Sequence, residues 1–307
     1  MRELNNITVV IRSVEERTTK LCEKLILKQG LSEDCVHVVK EVPFSKAMRV
    51  SYEIGIKSAK KWTYFIDADV LLKENSLNQI LTIGETMPIE VFGLSGKLLD
   101  KLFGNTRSVG NHLFRTTYLN RMLDAIADYN EETIRPESFA KNVLKGQGLK
   151  WVKHSMRLGL HDFEQHYHDI ARKSFVHGRK HTDQLSEIVT FWLKNSDYDK
   201  DYQAALIGLS KGLIHQEKVK INTRLFNNLQ SEVKQIMGSK SAKDSEWRIK
   251  NFHDIQNILS QKDHYFQPSD KLSLKYDQQF AESFYQKSYK SIIGFLIKKI
   301  YKDIKRK

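Results

Sequence analysis

Two aspartates one residue apart interrupt an otherwise apolar stretch, Trp62-Thr63-Tyr64-Phe65-Ile66-Asp67-Ala68-Asp69-Val70-Leu71-Leu72. Aromatic and β-branched residues suit a buried strand. Burying unpaired carboxylates inside it would be costly, so Asp67 and Asp69 belong at the strand's exit, facing something cationic. Two oxygen ligands at this spacing suit a hard divalent ion, Mg²⁺ or Mn²⁺, shared with phosphate oxygens. The plainer alternative is a strand end carrying two solvated acids, and the surrounding chain has to decide between them.

A second stretch, Leu158-Gly159-Leu160-His161-Asp162-Phe163-Glu164-Gln165-His166-Tyr167-His168-Asp169, is dense in titratable groups, and five of the eleven histidines fall between His161 and His181. Such a cluster can supply a metal ligand, a general base and phosphate contacts, or it is a polar helix face with incidental histidines. His177 and His181 are four apart, but no glutamate stands between them in H-E-x-x-H spacing and no cysteine is near, which argues against zinc.

The elements that must position these groups follow from the apolar pattern. Ile7-Thr8-Val9-Val10-Ile11 reads as a first buried strand with a polar exit, Arg12-Ser13-Val14-Glu15. A helix through Leu21, Leu25 and Ile26 ends at Gly30, Val36–Val39 is a second strand, and residues 45–60 show helical spacing before the strand that ends at Asp67. Alternating strands and helices predict a doubly wound α/β sheet, whose ligands collect at the carboxyl ends of the strands. Further on, Leu77–Ile83 continues as a helix, Val91–Leu94 as a strand, and Leu119, Met122, Leu123 and Ile126 share another helix face. No G-x-G-x-x-G follows the first strand and no G-x-x-x-x-G-K-[ST] occurs, so dinucleotide-binding and P-loop readings lose their main support. Beyond residue 183 the chain reads as helical, with core stripes Leu185/Ile188/Val189/Trp192 and Ala205/Leu206/Leu209/Leu213. Residues 238–246 read as an exposed loop.

Composition bounds the partners. The net charge of +13 in 307 residues implies an anionic partner, and over half of that excess sits in residues 285–307, where eight lysines and arginines face one aspartate. There, Ile292, Ile293, Leu296, Ile297, Ile300 and Ile304 repeat at helical spacing, the profile of a helix lying on an anionic bilayer or, alternatively, packing on the protein's own core. Two cysteines make no disulfide framework, the first residues are polar, and no apolar run reaches the roughly 20 residues that span a bilayer. The expectation is a cytoplasmic protein bound peripherally to the inner face of the cytoplasmic membrane. Basic residues are not interleaved with aromatics along a groove-like stretch, which argues against a nucleic-acid partner.

In order, the β-branched first strand, Pro43-Phe44-Ser45-Lys46-Ala47-Met48-Arg49 opening a helix, the strand ending Ile66-Asp67-Ala68-Asp69, and Gly110-Asn111-His112-Leu113-Phe114-Arg115 resemble the bacterial family-2-like glycosyltransferases of the GT-A fold. The resemblance covers about residues 5–180. It implies an α/β, Rossmann-like central mixed sheet flanked by helices as a nucleotide-sugar-binding catalytic domain (1–182), followed by a helical region (183–284) and the basic tail (285–307). It implies that Asp69 coordinates Mn²⁺ or Mg²⁺, that Asp67 contacts the ribose or the metal, and that His161 completes the metal shell. Arg12, Ser13 and Glu15 would lie near base and ribose, Lys46 and Arg49 over the diphosphate, and Arg115 would close the donor site. The chain lacks the usual Pro-Thr-Tyr-Asn exit after the first strand and a Glu-Asp pair before the late histidine. The base is then Asp162 or, second, Glu164. The implied donor is a nucleotide-diphosphate sugar, and the acceptor is a glycan or lipid-linked hydroxyl in bacterial surface-polysaccharide assembly. Two rivals use the same features. Asp67-Ala68-Asp69-Val70 also fits the D-x-D-x-[TV] of haloacid-dehalogenase-like phosphatases with Asp67 as nucleophile, although no Gly-Asp pair follows it. A non-enzymatic basic protein would explain the charge and leave the acids unexplained.

Overall fold

A computed structural model of the chain describes residues 4–127, 136–180, 185–215, 227–237 and 247–261. It divides into two compact units. The first comprises residues 1–166, 220–225 and 243–261, and the second the remainder. The division at His166 comes earlier than the boundary expected at residue 182, because the helix beginning at Tyr167 packs on helices that follow it.

The first unit is built on a mixed eight-stranded sheet, as expected from the sequence. Its strands are β1 (Ile7–Arg12), β2 (Val36–Val39), β3 (Trp62–Asp67), β4 (Val70–Leu72), β5 (Val91–Asp100), β6 (Asn105–Arg107), β7 (Asn111–Arg115) and β8 (Lys150–His161). Their spatial order is β2-β1-β3-β7-β5-β8-β4, with β6 paired to β5. β1 runs parallel to β2 and β3, β7 runs antiparallel to both β3 and β5, and β8 runs parallel to β5 and antiparallel to β4. These senses put the C-terminal ends of β1, β3, β5 and β8 and the N-terminal ends of β4 and β7 on one edge. The apolar strand at Val91 runs on to Asp100, further than expected, and β8 carries His161 to the same edge.

Helices α1 (Thr19–Leu27), α2 (Phe44–Ser58), α3 (Ser76–Thr86), α4 (Leu119–Ala127) and α5 (Pro136–Gly146) cover the sheet. Strand alternation sends Val10, Phe65, Phe92 and Phe114 to one face, where they form a core with Met48 and Tyr52 of α2, Met122 and Ile126 of α4, and Ala140 and Leu144 of α5. Phe65 and Phe114 lie 5.4 Å apart between ring centroids, and Trp151 packs on Phe114 at 4.9 Å. Tyr64 and Ile66 alternate to the opposite face and are equally buried. Fully burying each such side chain stabilises the fold by roughly 1.5–3 kcal/mol.

The second unit contains α6 (Tyr167–Lys180), α7 (Leu185–Asn195), α8 (Lys200–Ile214) and α9 (Asn227–Met237). Helix α6 crosses α8 closely, and Ala171, Ile207, Leu229 and Val233 form its buried centre. Leu185, Ile188, Val189 and Trp192 are buried, as their spacing predicts. The short α10 (Phe252–Ser260) belongs to the first unit, where it packs beside β8 and β4 and opens with a capping box between Asn251 and Asp254. Among the described residues no helix is long and apolar enough to cross a membrane. The loop expected at 238–246 and the tail at 285–307 lie outside the described residues.

Candidate metal and donor site

The two aspartates of the Asp-Ala-Asp stretch face different partners. Asp67 ends β3 opposite Arg12 of β1, and Ala68 N–H donates to the Arg12 carbonyl at 2.9 Å, which turns the chain before β4 begins. Arg12 Nε and Nη2 both lie 2.9 Å from Asp67 Oδ1. Val70 then pairs with His161, so Asp69 lies beside the end of β8. There, Asp162 N–H donates to the Asp69 carbonyl at 3.2 Å, and Asp69 Oδ1 is 3.6 Å from His161 Nε2.

Asp69, His161 and Asp162 are all buried, and each offers a ligand atom within 4.8 Å of the others. Two carboxylates and one imidazole fit Mn²⁺ or Mg²⁺, with coordination positions left for phosphate oxygens. A fourth residue orients this group. Asp100, fully buried at the end of β5, accepts from His161 Nδ1 at 3.0 Å and from Arg107 Nη1 at 3.1 Å. An imidazole whose Nδ1–H is engaged in this way presents Nε2 as the ligand. Burial alone would lower the His161 pKa, but Asp162, Asp69 and Asp100 together push it up to about 9. Burial likewise opposes ionisation of Asp100, yet His161 and Arg107 hold its carboxyl below the ordinary range.

The turn after β8 is strained. Asp162 (φ 64°) and Glu164 (φ 60°) are both left-handed, a conformation that costs a side-chain-bearing residue about 1 kcal/mol. Glu164 offsets this by pairing with Arg17 at 2.9 Å and accepting from Arg248 N–H at 3.1 Å.

These positions revise several expectations. Asp67 stands outside the metal group, since Arg12 occupies its Oδ1, and it keeps 30% exposure at the side chain. Asp162, expected as the base, lies in the group that could hold a metal, 3.2 Å from His161 Nδ1. Glu164, the second choice, is buried and pairs with Arg17 at 2.9 Å. Arg115, expected to close the donor site, lies away from Asp67. It pairs with Trp62, at the opposite end of β3 from Asp67 and about 16 Å away along the strand. Its guanidinium stacks on Trp62 and donates to the Val91 and Met87 carbonyls. Arg12 is likewise committed inside the protein, to Asp67 and to Glu137 Oε2 at 3.4 Å. Ser13 is buried and donates to Glu16 Oε2, whereas Glu15 is exposed in the loop after β1. Lys46 and Arg49 are exposed in the first turns of α2, where Lys46 pairs with Glu41 at 2.7 Å. The histidine-rich segment divides at the unit boundary. His168 and Asp169 lie in the second unit, where Asp169 pairs with Arg172, and His181 falls outside the described residues.

Three residues of the site were not anticipated. Asp100 and Arg107 hold His161, and Glu137, in the first turn of α5, joins Arg12, His112 (3.3 Å) and Lys141 (3.2 Å) beside Asp67. For Asp100 a signal exists: like Asp67, it is an acid that ends an apolar run, Val91-Phe92-Gly93-Leu94-Ser95-Gly96-Lys97-Leu98-Leu99-Asp100.

No protein-family model and no curated protein matches the chain. Among solved structures, a mannosyltransferase from Pyrobaculum calidifontis in complex with GDP-Man and Mn²⁺ aligns over 84% of this chain and 86% of its own, with 9% identity and a TM-score of 0.37. A glycosyltransferase involved in glycosylation of the major capsid of PBCV-1 aligns over 48% of this chain and 82% of its own, with 10% identity and a TM-score of 0.34. Likeness at this level assigns neither substrate nor residue roles.

Proposed function

We propose that the chain is a metal-dependent glycosyltransferase of the GT-A kind, moving a sugar from a nucleotide-diphosphate donor to an acceptor hydroxyl. The observation that carries this reading is the convergence of Asp69, His161 and Asp162 on the sheet edge where β1 and β3 also end. A divalent ion bound there would neutralise the charge that develops on the departing nucleotide diphosphate. Asp69, Asp162 and His161 would hold the ion, and Asp100, beside His161 Nδ1, would orient the imidazole toward it. Asp67, fixed by Arg12 yet partly exposed, would accept from a ribose hydroxyl. Lys46 and Arg49 supply exposed positive charge on the helix that opens after β2.

The phosphatase reading is disfavoured, because Asp67 would have to attack beside the metal while its Oδ1 is held by Arg12. The acceptor in this proposal is a glycan or lipid-linked hydroxyl of bacterial surface-polysaccharide assembly. The basic tail, residues 285–307, would bring the enzyme to the cytoplasmic membrane surface. Cosedimentation with anionic vesicles should be lost on removing that tail, and retention by the truncated chain would exclude this role. A thermal-shift panel of nucleoside diphosphates and their sugars, with and without Mn²⁺, tests the core reading. Stabilisation by one nucleotide only when Mn²⁺ is present supports it, and no metal-dependent response to any of them refutes it.

A further inference from the structure

The turn that carries His161 and Asp162 is held by residues distant in sequence. Glu164, buried and left-handed, is fixed from two sides: Arg17 of the loop after β1 pairs with its Oε2 at 2.9 Å, and Arg248 N–H donates to its Oε1 at 3.1 Å. The Arg17 guanidinium in turn lies over the Trp247 ring, 4.1 Å from its centroid, so indole and carboxylate hold it together. The next residue in each segment extends the same linkage. Gln165 Nε2 donates to Thr18 Oγ1 at 2.9 Å, and Thr18 Oγ1 donates to the Ala68 carbonyl at 2.7 Å, between the two aspartates. The loop after β1, the Asp-Ala-Asp turn, the 161–165 turn and the Trp247 segment are therefore tied together. All of them belong to the first unit, although Trp247 follows Glu164 by more than eighty residues.

We propose that Trp247 and Arg17 are positioning residues for the metal site, acting through Glu164 to hold the left-handed turn that aims His161 and Asp162 at Asp69. The inference rests on the metal reading above and extends it to a segment that none of the motifs around the two aspartates reaches. Trp247 is half-buried and touches none of the three proposed ligands in any described contact, so its replacement leaves the ligand set intact.

The test is Mn²⁺ alone, titrated calorimetrically into the full-length chain well below its melting temperature. Trp247→Leu keeps apolar volume and removes the aromatic face, whereas Trp247→Phe keeps the face. Loss of an orienting contact typically weakens metal binding 10–100-fold. Trp247→Leu should therefore weaken Mn²⁺ binding about tenfold or more, and Trp247→Phe should restore it to within about threefold of wild type. Arg17→Lys keeps the charge, loses the planar stack, and should behave like Trp247→Leu. A merely structural role would lower the urea midpoint of Trp247→Leu and leave Mn²⁺ affinity in the folded protein unchanged. Should that variant not fold, Arg17→Lys decides, and wild-type affinity in it overturns the inference. Mn²⁺ binding by wild type that neither variant alters overturns this inference alone. A wild-type chain that takes up no Mn²⁺ overturns the metal site itself, and this inference with it.

Discussion

Gly159 provides a perturbation whose size can be worked from the geometry. It lies on β8 opposite Leu72 of β4, two residues before His161, in the ladder that brings His161 beside Asp69. A Cβ built at this position would stand 2.1 Å from the Leu71 carbonyl oxygen and 2.9 Å from Leu72 Cα, where real contacts essentially never fall below 3.0 Å. Gly159→Ala must therefore part β4 from β8 by about 1 Å, beyond the roughly 0.5 Å within which a functional constellation must be held. Overpacking of this kind costs about 1–3 kcal/mol. Urea denaturation should show that loss, and Mn²⁺ titration should show affinity reduced about 10–100-fold, as when a ligand's support is removed. Gly146→Ala is the matched control. Gly146 closes α5 with no atom within 4 Å of its would-be Cβ, so its change should stabilise by at most about 1 kcal/mol and leave Mn²⁺ binding intact. Wild-type stability and metal affinity in Gly159→Ala would refute the β4–β8 register on which the site depends.

Other outcomes follow from the same geometry. Asp100→Asn should weaken Mn²⁺ binding about 10–100-fold, because it removes the charge and leaves one acceptor oxygen where Asp100 uses both, one for Phe103 N–H and the other for His161 Nδ1 and Arg107; isothermal titration reads this directly. Burial pushes the His112 pKa well below its ordinary value, with Lys141 and Arg12 adding to the effect and Glu137 opposing it. The unfolded chain therefore takes up a proton near pH 6.5 that the folded chain does not, and stability falls as pH drops. Between pH 7 and pH 5 this group alone removes roughly 2 kcal/mol. His161, raised in the folded state, works in the opposite sense: its contribution is complete below about pH 6.5 and is lost as pH rises through about 9. Urea midpoints of wild type and His112→Asn across pH 5–7 separate the two, and a variant profile parallel to wild type would contradict the assignment to His112.

How far the site could be read from the sequence depended on the distance over which each residue is positioned. Asp67 and Asp69 were legible because a single strand and its exit place them, and His161 through the resemblance to the glycosyltransferases, in a segment dense with acids and histidines. What the spacing of the aspartates could not tell was that they diverge. That follows from β3 pairing with β1 while β4 pairs with β8, two long-range registers. Arg115 was misplaced for a related reason. The Gly110–Arg115 motif does border the site, through Gly110 beside Asp67, but β7 runs antiparallel to β3 and carries Arg115 to the far end. Asp100 carried the same strand-end signal as Asp67 without a second acid beside it, whereas Glu137 went unnoticed because its importance comes from what packs beside it rather than from neighbours in the chain. The α/β sheet was legible from strand and helix alternation, and its mixed character only through the family resemblance. The return of residues 247–261 to the first unit was not, because the intervening helices carry no local signal of where the chain goes next.

The central claim is that Asp69 and its neighbours hold a divalent ion beneath a nucleotide-diphosphate sugar. Calorimetric titration of the best-stabilising nucleotide sugar into wild type and Asp69→Ala, each with and without Mn²⁺, tests it most directly. The predicted result is Mn²⁺-dependent binding by wild type, and none by a folded Asp69→Ala chain. Equal nucleotide affinity in the two proteins with Mn²⁺ present would contradict the account.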